Sequence, residues 1–290
     1  MKKEKRVLTL YLILVLAISA PIEAVFILYK VTGNSMVTLM VVPAIVAIVL
    51  KLVFYRKQSL LALGFGKPTY YLFAVIIPFA YIGLSYSLYW LFVPGTFAGT
   101  ETLVEALSKA LPIQNVPAAI TVTVAVSILA NIPTTFGEEA GWRGLMYPIM
   151  HKLWGRNKAL VISGSIWTAW HLPLLIGGDY MAGAPLLYRV PMFIIQILAL
   201  NVIVSWLRMK SGSVWPAVLW HISQNFLNQL VFAAMTKAGD SAYFISETGF
   251  ITTLCAVISA VLVLVFGKFS KIDENIGALT PQQGESEPVA

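Results

Sequence analysis

Charge is scarce in this chain. Only 11% of its 290 residues are Asp, Glu, Lys or Arg, against about 25% in an ordinary soluble protein, so a water-soluble globular domain is excluded. Cysteine is nearly absent: Cys255 stands alone, which rules out a disulfide within the chain, and its place in an apolar run reads as packing. Histidine occurs three times. Familiar hydrolase signatures are missing as well. There is no H-E-x-x-H pair of a zinc peptidase, no G-x-S-x-G turn for a serine nucleophile and no G-x-G-D run. Nor is there an internal repeat of the kind found in many transporters.

What the chain has in abundance is apolar sequence, 58% of residues with a mean hydropathy of +0.80. About eight runs reach the roughly 20 residues a helix needs to cross hydrocarbon: 7–29, 36–55, 69–92, a segment within 117–150, 159–176, 190–207, 213–236 and 248–266. Backbone polar groups in lipid must be satisfied internally, so the expected fold is an all-α polytopic bundle of about eight transmembrane helices. It forms one membrane domain over 1–270, followed by a polar, disordered cytoplasmic tail over 271–290. The link 56–68 reads as an interfacial segment with its leucines toward lipid. The stretch 93–116 contains a short amphipathic helix, "ETLVEALSKAL".

A net charge of +7 invites a nucleic-acid partner, but its distribution says otherwise. Fourteen basic residues fall before the first run or in the even-numbered connections, and four (Lys30, Lys109, Arg189, Lys237) in the odd-numbered ones. This asymmetry places both termini in the cytoplasm and explains the basic excess as topology. Residues 1–20 imitate a signal peptide, but Pro21 directly after the small-residue site argues against cleavage.

Three polar clusters interrupt the apolar runs: "EEAGWR" at 138–143, "WTAWH" at 167–171 and "HISQN" at 221–225. Counted inward from Lys152, Lys158 and Lys210 at about 1.5 Å per residue, Glu138, His171 and His221 lie about 21, 20 and 17 Å deep. Three helices thus deliver polar groups to one level. His221 and Asn225, four apart, share a helix face, and Glu139 and Arg143 have ion-pair spacing. Glu138, turned about 100° from Glu139, is free to face a cavity. Ala140, Gly141 and Gly144 permit close helix approach.

A lone membrane histidine or asparagine is commonly an interhelical hydrogen-bonder. Three ionisable groups at depth are different, since each costs about 2.5–3.5 kcal/mol before pairing. A free carboxylate can activate water, an imidazole can relay its proton, and an imidazole with a carboxamide can hold an oxyanion. That set suits peptide hydrolysis without a side-chain nucleophile. A proton- or cation-coupled transporter using the same Glu/His cluster is the alternative.

Outside the clusters, Glu23 is a second membrane carboxylate and Lys51 reaches back to the interface. His151 is expected on a cytoplasmic surface and Asp179 in an external turn. Asn131, Gln196 and Asn201 are expected to be interhelical hydrogen-bonders.

The three clusters, in this order, resemble the CPBP family of intramembrane endopeptidases, also called CAAX prenyl protease type II-like or Abi proteins. The family pattern is E-E-x-x-x-R, then aromatic-x-x-x-His, then H-x-x-x-Asn, over a core corresponding to about 117–236. The resemblance implies a cavity open to the cytoplasm, Glu138 activating water with help from His171, and His221 with Asn225 holding the oxyanion. Glu139 and Arg143 match the supporting Glu and Arg. Trp167 stands where Phe is commoner, a bulkier wall that bears on substrate preference. The implied substrates are C-terminal or lipidated peptides, or bacteriocin-like peptides, met within membrane lipid. A mechanism without metal is favoured. Zinc held by Glu138, His171 and His221 is the alternative, although those ligands come from three helices with no closely spaced pair.

Overall fold

The computed structural model describes residues 1–31, 37–56, 61–237 and 239–269. The tail 271–290 lies outside them. The protein is helical, with only an isolated bridge between Phe97 and Thr236 among the described residues. Helix α1 spans Lys2–Leu28, α2 Val37–Met40, α3 Val42–Phe54, α4 Thr69–Phe92, α5 Thr100–Lys109 and α6 Val116–Glu139. A π-helical segment, Ala140–Met146, joins α6 to α7, Tyr147–Gly177. Then come α8 Leu186–Ser211, α9 Trp215–Phe226, a second π segment Leu227–Val231, α10 Phe232–Ala234 and α11 Phe250–Phe266.

Among the described residues, five helical stretches are long and apolar enough to cross a membrane, Val116–Gly177 being taken as one. That stretch is a hairpin. At Gly155 the backbone leaves the helix (φ 76°, ψ 170°), a region that glycine occupies without steric cost. The limbs then run antiparallel, with Trp142 and Trp170 edge to face at 5.6 Å. With α9–α10 and the shorter α11, the passes number about eight, as the hydropathy reading expects.

The long limb from Val116 to Trp154 measures about 60 Å at about 1.5 Å per residue, twice the hydrocarbon thickness. Asn115 caps it, its side chain accepting from the Ala118 amide at 2.9 Å, and Pro117 sits at the start of the helix, where no amide is needed. The helix continues through Pro133; the break falls at Gly155. Because the limb runs to Trp154, His151 is still helical. It is 4% exposed and packs against Tyr147, so the expected surface histidine is buried. Asn131 also departs from expectation, bonding the Ser127 carbonyl within its own helix. Gln196 and Asn201 do join helices, through Thr253 and through Ser163 with the Leu160 carbonyl. In the 56–68 link, Leu63 and Phe65 are exposed, whereas Leu61 is buried against Gly144.

Two sets of contacts define the ends of the bundle. At one end Lys152 pairs with Glu4 at 2.7 Å, Arg156 lies over the Phe269 ring, and the Lys67 amide donates to the Ser211 carbonyl. Both termini of the described chain are here. At the other end the Ala98 amide donates to the Met235 carbonyl, Lys237 to Thr96, and the Tyr188 hydroxyl to the Tyr243 carbonyl.

Small residues bring α3 onto the π segment. A Cβ on Gly141 would lie 2.4 Å from both Pro43 Cβ and the Tyr11 hydroxyl, and one on Gly137 2.5 Å from the Met40 carbonyl. Gly141→Val is therefore expected to cost at least the 1–3 kcal/mol typical of overpacking, read as a lower thermal unfolding midpoint in detergent. Gly144→Ala, whose nearest neighbour is the Leu61 side chain at 3.3 Å, should be the milder change.

Candidate active site

Glu138 and Glu139 are the last two residues of α6, 2% and 0% exposed. The π segment that follows changes the helical register just below them, a placement common at functional sites. The third cluster shows the same arrangement, His221 and Asn225 being followed by the π segment Leu227–Val231.

The two glutamates are held differently. Glu139 Oε1 accepts from Arg143 Nη1 at 3.1 Å, the ion pair that the spacing predicts, and also from His221 Nδ1 at 2.9 Å. Arg143 donates onward from Nη2 to Asn201 Oδ1 at 3.2 Å, and its guanidinium lies 3.8 Å from the centre of the Trp167 ring. Glu138 instead accepts from the Trp167 indole N–H at 2.9 Å through Oε2. Trp167 thus stacks on the arginine that neutralises one glutamate while hydrogen-bonding the other. Phenylalanine supplies no such donor, so the departure from the usual aromatic acts on the carboxylate as well as on the wall.

His171 lies one turn beyond Trp167. Its Nδ1 is 2.8 Å from the Trp167 carbonyl, which can only accept, so Nδ1 carries the proton and Nε2 is left as an acceptor. In His221, Nδ1 likewise donates to Glu139, leaving Nε2 for other partners. The Trp167 ring lies 5.9 Å from that of His171 and 6.2 Å from that of His221.

Glu138, Trp167, His171, His221 and Asn225 line one cavity of about 470 Å³. Glu139 and Arg143 stand behind its wall, and Glu23, buried in α1, does not line it. Sequence reasoning missed Glu247, in the connection before α11, which lines the cavity and accepts from Gln229 Nε2 at 2.8 Å. Burial pushes its carboxyl above the usual range, with the Gln229 hydrogen bond opposing. Nothing in "SETGF" marks it. Tyr180, from the turn after α7, also reaches the cavity and stacks on His171 at 5.9 Å.

The cavity therefore extends toward the connections after α1, α7 and α10, through Val37, Tyr180 and Glu247. These lie at the end opposite the termini. Beneath Glu138 and Glu139 the segment Ala140–Met150 is buried throughout.

Among the described residues, no three His, Cys, Asp or Glu side chains converge to hold a metal ion. Nδ1 of His221 and of His171 is engaged by Glu139 and by a carbonyl, and one oxygen of Glu138 by an indole, so each side chain keeps its other polar atom for a further partner.

The core of the apolar helical bundle thus presents a glutamate and two histidines to one cavity. In comparison with known proteins, residues 118–227 match the family described as Type II CAAX prenyl endopeptidase Rce1-like. The chain is also 29% identical over 140 residues to CAAX prenyl protease 2 of Methanococcus maripaludis. That alignment covers 47% of this chain and 49% of the relative, so the chain matches about half the length of its curated relative. The resemblance to the CPBP/CAAX protease family thus rests on the stretch carrying all three clusters.

A buried charge left unpaired costs about 3–5 kcal/mol, whereas removing both partners costs far less. Arg143→Met should therefore destabilise more than the Arg143→Met/Glu139→Gln double variant, measured by thermal unfolding of each in detergent. Equal losses would mean that the pair carries no coupling.

Proposed function

We propose that this protein is an intramembrane endopeptidase of the CAAX protease type in which Glu138 activates water. The observation that carries the reading is the contrast between adjacent glutamates: Glu139 is neutralised by Arg143, while Glu138 lines the cavity with an indole N–H fixing one oxygen. A carboxylate oriented in this way can take a proton from water as the hydroxyl oxygen adds to the peptide carbonyl. The C–N bond then breaks as that proton passes to the departing amine, with His171 Nε2 as relay. The tetrahedral oxyanion accepts from the Asn225 side-chain amide and His221 Nε2. In this role His221 is an imidazolium with Glu139 as counter-ion, so the Glu139–Arg143 unit orients the donor as well as bracing the helix.

The substrate is a peptide or lipidated protein in or beside the membrane. Prenylated C-terminal peptides are the first class to try, because the relative's name specifies them; bacteriocin-like peptides are the second. The buried segment below the cavity speaks against a transport path through the bundle.

Cleavage of a peptide reporter library by the full chain in proteoliposomes tests the reading. Glu138→Gln keeps the shape but cannot take the proton, and should lower kcat by about 10²–10⁴-fold. Wild-type rates in Glu138→Gln would overturn the mechanism. Trp167→Phe removes one hydrogen bond to a charged group, worth about 1.5–3 kcal/mol, and should reduce kcat by about 10–100-fold with KM little changed.

A further inference from the structure

We propose that the part of the cavity wall carrying Glu247 and Gln229 is a subsite for a cationic side chain, so that the peptide bound there has a lysine or arginine close to the bond that is cut. This role rests on the hydrolytic reading above for the position of that bond, while the preference for positive charge is a property of binding alone. A row of side chains on one helix leads to the subsite. His221 and Asn225 are four apart near the end of α9, and Gln229 follows after four more residues, within the π segment Leu227–Val231. All three line the cavity. Gln229 donates from Nε2 to Glu247 Oε1 at 2.8 Å. Its neighbour Asn228 turns instead to α4, where its Oδ1 accepts from the Tyr86 hydroxyl at 2.9 Å. From His221 to Gln229 the rise is about 12 Å, which an extended peptide covers in about four residues, and in about two or three when a long basic side chain makes up part of the reach.

The charges facing the cavity are out of balance. Glu138 and Glu247 both line it, and none of its lining residues among those described is a lysine or arginine. Arg143 stands behind the wall, paired with Glu139. Burial does most to raise the Glu247 carboxyl above its usual range; Gln229 and the His221 charge oppose the rise, and the Glu138 charge adds to it. Glu247 therefore shares one field with the hydrolytic centre and lacks a cation of its own. The cavity also holds an unmet acceptor. Gln224 lines it and is 4% exposed, yet its Oε1 has no hydrogen-bond partner. A buried acceptor left in that state is costly. The Trp220 indole N–H, likewise unpartnered at the cavity, is a neutral donor and leaves the charge unbalanced. An ammonium or guanidinium brings positive charge with several N–H donors and no acceptor, which is the chemistry this wall lacks. A carboxylate placed there would meet two others and no lysine or arginine, so like-charge repulsion disfavours it.

Equilibrium binding to the full-length chain in detergent tests the subsite. The Glu138→Gln variant is used so that turnover does not intervene. Fluorescent peptides, acetylated and amidated, carry lysine, norleucine or glutamate at each position in turn along a common apolar sequence. At one position or two adjacent ones, the lysine peptide should bind at least about 10-fold more tightly than the glutamate peptide, with norleucine between them. Adding Glu247→Gln should bring that ratio within about 3-fold, and Glu247→Lys should reverse it. Thermal unfolding midpoints show whether each variant is folded, and the near-isosteric glutamine keeps the test open if the lysine variant is not. Equal affinity for lysine and glutamate peptides at every position overturns the proposal, as does a ratio that a folded Glu247 variant leaves unmoved. A peptide whose only cation is a free α-amino group distinguishes the other source of positive charge, and tighter binding of that peptide overturns the side-chain assignment. Affinity is read without cleavage. A wild-type chain that cuts no peptide therefore sinks the hydrolytic reading, while the charge preference is still decided by itself.

Discussion

Everything at the centre of this protein depends on one buried ion pair, Glu139 with Arg143. Each charge at that depth costs about 2.5–3.5 kcal/mol when alone, so the two must meet, and a spacing of four on one helix lets them do so without help from another element. The pair then organises what surrounds it. The arginine reaches Asn201 on α8 and lies on Trp167 of α7, and the glutamate receives His221 of α9. Four helices are registered against one another by a handful of atoms. In a bilayer, where lipid tails give helices no hydrophobic reason to associate, polar contacts and close small-residue packing must supply that registration.

Much of this was legible in the sequence for a physical reason: lipid makes polar residues conspicuous. Glu138, His171, His221 and Asn225 stand out because nothing around them is polar, and counting depth brings them to one level, where they share a cavity. The Glu139–Arg143 pair follows from spacing alone. What could not be read are interactions whose partners lie far apart in the chain and whose residue types are unremarkable. The indole N–H of Trp167 on Glu138 is one, the second bond of Glu139 to His221 is another, and Glu247 at the cavity wall is a third. His151 was misplaced because the helix end was set at the hydrophobic boundary, whereas the limb continues to Gly155. Sequence gives depth well and helix ends poorly when a helix is longer than the membrane is thick.

The two π segments extend the same theme. Both follow directly upon a polar cluster, and both add an unusual turn where a straight α-helix would set a different rotation for the residues beyond. In the first, Arg143 can serve Glu139 from below while Glu138, on the preceding turn, is left to the cavity. Adjacent carboxylates are thereby given unlike surroundings: one is bound to a guanidinium, and the other meets only an indole N–H and open space.

The hairpin that turns at Gly155 also has a consequence for biosynthesis. Glu138, Trp167 and His171 lie on its two limbs and can come together as soon as that single unit has left the ribosome and entered the bilayer. His221 and Asn225 arrive two passes later, on α9, and only then does Glu139 gain its second bond. A growing chain therefore carries Glu138, Trp167 and His171 in place before it has His221 and Asn225. Completion of the polar cavity is tied to near-complete membrane insertion.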